Sequence, residues 1–433
     1  MARAARRAVR QAQGSGLLLA ALAACACANR GDPPGGPPDT APPTIVSVRP
    51  ESGTVVPGWK DDAVIQFDEV IDEMAAGGGG GGAGAAGGGG LARQVLLSPV
   101  AGDVHVAWGR TRIRVKPKEG WRDGRIYRLE LLPGIIDLRR NKLVKGQVVL
   151  FSTGPAIGHA TLTGTALQWV EQRTLLGALI EAVPLPDSVG YVALADSGGK
   201  FRLDGLHAGR YVVYATADEN TNRRRDQREA YDSALVKLDS SATVTVFTFV
   251  HDTAGPRLRN ATAVDSFTVR LEFSQALAAT APLDTARVRV VQLPDSTPVP
   301  LAAVLTPPQY DSLAAAARAK ADSAAKPDTT RGAGGAVTPP PSRPAGVRAA
   351  AARGDTAEIR RLLALRPVPF DRAVLRFGRP LAPETRYLIR VTAVQNLNGA
   401  VADGQIVLVT PKPPPPPAPR DTSRAPRPKP PLR

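Results

Sequence analysis

Apolar residues in this chain come in short alternating runs, and that period decides most of what it can fold into. VHVAW, RIRVKP, RIYRLEL, KFRL, RYVVYATA and SFTVRLEF each put every second side chain on one face, as a half-buried strand does. Clusters such as Pro-Glu-Ser-Gly and Ser-Gly-Gly separate the runs and suit the backbone angles of turns. Two segments break the pattern, YDSLAAAARAKADSAAK and DTAEIRRLLALR. Both are helix-prone, and in the second Asp355 and Glu358 have the spacing of a capping box. No helix-length segment links successive strands in the way a parallel βαβ sheet requires. The expected fold class is mainly β: three sandwich domains in tandem, with disordered or helical insertions and a Pro-rich tail.

A chain of 433 residues has room for two to four domains with cores of their own, and an internal repeat marks their limits. The strand pair TIVSVRPESG…DDAVIQFDEVID near the start parallels PRLRNATAVDSFTVRLEFSQAL, aligning Phe67 with Phe273 and Asp68 with Ser274. RIYRLELLPGIIDLRRNKL parallels TRYLIRVTAVQNLNGAV, with Tyr127 opposite Tyr387, and FST at 151–153 parallels LVT at 408–410. Two copies of one strand order explain these matches. The first copy spans 42–155 with a Gly-rich insertion at 75–90, and the second spans 252–412 with an insertion at 307–356. Within that insertion DTTRGAGGAVTPPPSRP is disordered by composition. Residues 158–250 between the copies form a different unit. Here Phe201 and Leu203, then Tyr211, Val213 and Ala215, share a face, and Ser197-Gly198-Gly199 reads as a hairpin turn. Leu206 to Tyr211 has the spacing of a tyrosine corner, in which the phenol bonds back to the backbone near its loop.

The repeat carries a PP-x-(hydrophobic)-x-S-x-x-P-x-x-G opening, an I-x-F-(D/S) strand, and a Y-x-(hydrophobic)-x-(hydrophobic) strand leading to a D/N-L turn. These residues resemble the bacterial Ig-like domain of the SbsA type, found in surface-layer proteins and lipoproteins. The second copy is the more divergent. The middle unit resembles the carboxypeptidase-regulatory-like and Cna B-type sandwich, a prealbumin-like fold. What these resemblances imply is three Ig-like or prealbumin-like sandwiches that act as spacers and stabilisers, with no substrate implied.

The N-terminus reads as an address. MARAARRAVR is a basic n-region and GLLLAALAA a short apolar h-region, well below the ~20 residues needed to span a bilayer. Leu22-Ala23-Ala24-Cys25 resembles the lipobox of bacterial lipoprotein signal peptides. That resemblance implies removal of residues 1–24, diacylglycerol on the Cys25 thiol and acylation of the new amine. Ala26 in place of Asp implies the outer membrane, facing the periplasm or the cell surface. An ordinary secretory peptide with an incidental Cys25 is the other reading. The Pro/Gly stretch 25–41 follows as an extended tether.

Cys25 and Cys27 are the two cysteines, so the body of the chain holds no disulfide framework and no Cys-based zinc site. The formal charge of +16 is scattered, without the basic stripe or aromatic–basic interleaving of a nucleic-acid surface. It reads as solvation, or as attraction to a polyanionic neighbour. The basic tail 413–433 is likewise either solvated or in contact with lipopolysaccharide or cell wall. No nucleophile motif is present, and the Gly tract 77–82 matches G-x-G-x-x-G only because it is poly-Gly. Asp68, Glu69, Asp72 and Glu73 sit at a strand end and read as solvated acids rather than a catalytic pair. The expected role is non-enzymatic: a lipid-anchored envelope protein, structural or adhesive, whose partner is an envelope protein or a glycan. A glycan- or peptide-binding module using Trp59, Trp108, Trp121 or Trp169, or an accessory subunit of a secreted hydrolase, stands as the alternative.

One stretch has the ligand spacing of a cation site. In DENTNRRRDQRE, Asp218, Asn220, Asn222, Asp226 and Glu229 hold positions one, three, five, nine and twelve. Arg224 holds the seventh, where the main-chain carbonyl ligates, in the order of a calcium loop. Against this, Arg223 stands at the sixth place, where the sharp turn wants Gly, and three arginines raise the local charge. The competing reading is an Asn/Asp turn without metal, in which Asp218 and Asn220 cap the loop while Asp226 and Glu229 neutralise the arginines. The four histidines, His105, His159, His207 and His251, are isolated in sequence.

Overall fold

The computed structural model describes residues 39–73, 90–324 and 356–412. Cys25 and the segment 1–24, most of the tether and of the insertion 75–90, the stretch 325–355 with Asp355, and the tail 413–433 lie outside the described residues. The rest is mainly β, as the alternation predicts.

The first unit contributes β1 (Ile45–Arg49), β2 (Ala63–Phe67), β3 (Val95–Ser98), β4 (Val104–Trp108), β5 (Arg112–Pro117), β6 (Ile126–Leu131) and β7 (Gln147–Ser152). A four-stranded sheet, β1-β2-β5-β4, faces a three-stranded sheet, β3-β6-β7. Phe67, Ile65, Ile113, Tyr127, Leu129 and Phe151 from the two sheets meet in one core. Fully burying a side chain of this size stabilises the fold by about 1.5–3 kcal/mol, so the alternating runs specify both the sheets and their facing.

The middle unit has β8 (Ala160–Gln168), β9 (Arg173–Thr174), β10 (Leu179–Pro184) and β11 (Tyr191–Leu194). It continues with β12 (Lys200–Leu206), β13 (Gly209–Thr216), β14 (Ala230–Leu238) and β15 (Ser241–Val250). Seven strands follow the order β11-β10-β13-β14-β15-β8-β12, with β9 added beside β8. The path folds over on itself, burying Phe201, Leu203, Tyr211, Val213 and Ala215 together. β15 runs parallel to β8, and Gly164 permits that approach, since a Cβ there would fall 2.2 Å from the Val244 carbonyl oxygen. The corner predicted at Tyr211 is present: its hydroxyl donates to the His207 carbonyl at 2.9 Å. The Ser197-Gly198-Gly199 turn needs a correction. It is a tight turn, with Asp196 accepting from Gly198 and Lys200 N–H and Gly199 at φ +74°. Yet β11 pairs with β10 and β12 with β8, so the turn passes between layers instead of closing a hairpin ladder.

The third unit adds β16 (Leu258–Asp265), β17 (Thr268–Phe273), β18 (Val288–Gln292) and β19 (Thr297–Pro298). β20 (Leu301–Leu305), β21 (Arg372–Phe377), β22 (Arg386–Gln395) and β23 (Val401–Val409) complete it. Its sheets are β16-β17-β21-β20 and β19-β18-β22-β23. The repeat holds at the level of single hydrogen bonds. Tyr127 Oη accepts from Arg122 N–H at 2.8 Å, and Tyr387 Oη from Ala382 N–H at 2.8 Å. Thr153 Oγ1 donates to the Arg122 carbonyl at 2.7 Å, as Thr410 Oγ1 does to Ala382 at 2.6 Å. Two helices interrupt this copy, α1 (Pro307–Ala324) and α2 at 356–363, and the strand order resumes only at Arg372.

Replacing Tyr211 with Phe should lower unfolding free energy by about 1 kcal/mol, the net worth of one hydrogen bond. Urea denaturation should show the loss, with the β-type circular dichroism spectrum unchanged.

Candidate functional site

The loop 218–229 leaves β13 and returns as β14, closed at its base by Ala217 N–H donating to the Ala230 carbonyl at 2.8 Å. Asp218 accepts from Asn222 and Arg223 N–H at 3.0 and 2.8 Å. Asn220 Oδ1 accepts from Asn222 N–H at 2.9 Å, and Asn222 Oδ1 from Arg224 N–H at 2.7 Å. Short polar side chains thus wind the backbone, as the turn reading predicts. Asp226 Oδ2 receives both amides, Asn220 Nδ2 at 2.8 Å and Asn222 Nδ2 at 2.9 Å. Glu229 is 7% exposed, and its Oε1 accepts from Glu219 N–H at 3.1 Å. Arg223 adopts φ +58°, the left-handed conformation that a sharp turn demands at this place.

The arginines have partners other than the expected Asp226 and Glu229, because all three heads leave the loop. Arg223 reaches into the first unit, where its guanidinium donates to the carbonyls of Ala92, Arg93 and Val95. These belong to the 3₁₀ turn Gly90–Gln94 and the first residue of β3. Burial holds this guanidinium below its ordinary pKa, opposed by Asp218 and Glu130. Arg224 pairs with Asp103 at 2.7 Å, itself bound to Lys118 at 2.9 Å. Arg225 lies over the Tyr214 ring at 3.7 Å. In the sequence these arginines raise the local charge against a cation unless their heads swing outward, and here all three do. The structure uses two of them as a latch between units.

Further contacts complete this joint. Arg125 forms a short ion pair with Asp187. Val192 N–H donates to Ser98 Oγ at 3.0 Å, and the buried Arg128 donates to the Val192 carbonyl at 3.0 Å and to Glu130 at 2.6 Å. A second joint ties the middle unit to the third. On it Leu363, Ile359 and Leu362 of α2 pack with Leu167, Phe247 and Trp169. Trp169 Nε1 donates to the Pro367 carbonyl at 3.1 Å. Arg366 lies over Trp169 and Phe247 and pairs with Asp232 at 3.1 Å.

Another cluster was not singled out in the sequence. Asp39, Glu69 and Asp137 bring carboxylate oxygens within 4.8 Å of one another, an arrangement that could coordinate a divalent ion. Burial, then the Asp137 and Asp39 charges, push the Glu69 carboxyl upward. The repeat held the signal: the second copy has amides here, and Asn396 Nδ2 donates to Gln275 Oε1 at 3.1 Å and to the Asp252 carbonyl at 2.8 Å. Of the strand-end acids, Asp68 caps Thr44 through its N–H and hydroxyl. The tryptophans are half-buried. Trp108 and Trp121 pack on the first core and donate to the Ile71 and Asp61 carbonyls. His251 is stacked between Tyr231 and Phe249.

No protein-family model matches the chain, and no curated protein matches it. Among solved structures it is similar to BcpA, the major pilin subunit of Bacillus cereus, at 11% identity, covering 48% of this chain and 70% of that one (TM-score 0.18). It is also similar to a putative carbohydrate binding protein from Bacteroides uniformis at 9% identity, covering 58% and 99% (TM-score 0.17). A third is the S-layer protein rSbsC at 7% identity, covering 86% and 54% (TM-score 0.17). At such scores these likenesses carry no argument about function.

Arg223→Ala should destabilise the chain by about 1.5–3 kcal/mol, because a charged donor is withdrawn from three main-chain carbonyls, one of them on the buried Val95. Calorimetry should show the melt of the first unit separating from that of the middle one. Arg225→Ala should cost only about 0.5–1 kcal/mol, the worth of an exposed cation–π contact. The Arg125 hydrogen bond holds the Asp187 carboxyl below its usual range. Its contribution is therefore complete above the unfolded value of about 3.9 and lost as pH falls through the lower folded value. Acid melts should place this loosening in strongly acidic solution.

Proposed function

We propose that the chain is a non-enzymatic scaffold of the bacterial envelope, held at the outer membrane by lipid on Cys25. Its sandwiches present a structural or adhesive surface to another envelope component. The observation that carries this reading is the pair of packed joints: each sandwich is fastened to the next by buried side chains. That is how a spacer resists bending, and a string of independent binding modules has no need of it. Trp108, Trp121 and Trp169, half-buried and packed on cores, do not favour the glycan-platform alternative.

The lipid supplies the attachment in this reading. Each buried methylene contributes about 0.8 kcal/mol, so several acyl chains hold where one holds only marginally. Metabolic labelling with an alkyne fatty acid should tag the wild type. Cys25→Ser should abolish both the label and sedimentation with membranes. An unlabelled, soluble wild type would contradict the anchor. Crosslinking in intact cells should capture one recurrent envelope partner.

A further inference from the structure

The loop 218–229 contains one group that its hydrogen bonds leave unexplained. Glu229 is 93% buried by its 7% exposure, yet among the described residues its Oε2 has no hydrogen-bond partner. The same carboxylate is anchored inside the loop through Oε1, against the N–H of the loop's second residue. A buried carboxylate oxygen without a donor is costly, and a cation is one of the few groups that relieves it. Two other side chains, Asn220 and Asn222, direct their amide N–H groups to one oxygen, Asp226 Oδ2. The two obstacles raised by the sequence are both removed. Arg223 takes the left-handed turn at φ +58°, and the three guanidinium heads point to carbonyls, to Asp103 and to Tyr214.

We propose that this loop binds a calcium ion through Asp218, Asn220, Asn222, Asp226 and Glu229 with the Arg224 carbonyl, and that the ion fixes the segment carrying the Arg223 latch. Each Asn Oδ1 accepts one N–H and keeps a second lone pair for a metal. The ion replaces the amide N–H groups now directed at Asp226. Six oxygen ligands with three carboxylates suit calcium, whereas magnesium prefers a rigid octahedron that retains water. The loop's carboxylates do not all lie within 4.8 Å of one another as the Asp39, Glu69 and Asp137 trio does, so binding draws them together. Because Arg223 leaves the same backbone, calcium couples to the joint with the first unit. This inference is independent of how the chain is anchored.

The test is calorimetric titration of the full chain with calcium chloride, magnesium chloride as control, and thermal melts in both. The expected result is a dissociation constant of about 10⁻⁴–10⁻³ M. At tenfold excess the melting temperature should rise by on the order of 3–8 °C. Glu229→Gln and Asp226→Asn should each weaken binding at least tenfold, and Glu69→Gln should leave it unchanged. Two isosteric variants guard against one that fails to fold. No heat and no shift at 10 mM calcium would overturn the assignment, and so would binding lost in Glu69→Gln but kept in both loop variants.

Discussion

A half-buried guanidinium set against three main-chain carbonyls is the contact on which the arrangement of this molecule turns. Taking a charge out of water costs several kcal/mol even after relaxation, and only well-placed acceptors offset it. Arg223 finds them at Ala92, Arg93 and Val95, where a 3₁₀ turn ends and β3 begins. The carbonyl of buried Val95 in turn needs a donor. Neither side is satisfied alone, so the two sandwiches meet in one register. Asp103, Asp187 and Ser98 then add contacts whose geometry that register has already fixed.

The second joint works by a different force. Leu363, Ile359 and Leu362 leave the interrupted third sandwich to cover Leu167 and Phe247, so apolar burial does there what charged hydrogen bonds do at the first. The helix making this contact lies in the long interruption between β20 and β21, which makes the interruption part of the assembly. Arg366 spans both modes, lying over Trp169 and Phe247 while paired with Asp232.

Much of the fold was legible because strand period and turn chemistry are local signals. Tyr211 announced its corner bond through spacing, and the repeat aligned Tyr127 with Tyr387, whose hydrogen bonds prove equivalent. What sequence could not reveal were the long-range partners. Nothing near Arg223 names Ala92, and Asp39 meets Asp137 only through the folding of the first sandwich. The Ser197–Gly199 turn misled for a related reason: turn residues specify a reversal, while the packing of Phe201 and Leu203 decides which layer receives the strand. The Gln275 and Asn396 amides at the repeat positions of the Glu69 and Asp137 acids are a visible clue, legible once the repeat is compared position by position.

The central claim is that the first and middle sandwiches are held in one fixed relation. Spin labels at Val148→Cys on β7 and Leu235→Cys on β14 report it directly, since both sites are exposed; Cys25 and Cys27 are changed to Ser. Pulsed electron–electron resonance should give a single narrow distance distribution that broadens when Arg223 is changed to Ala. A broad distribution with Arg223 intact would contradict the account.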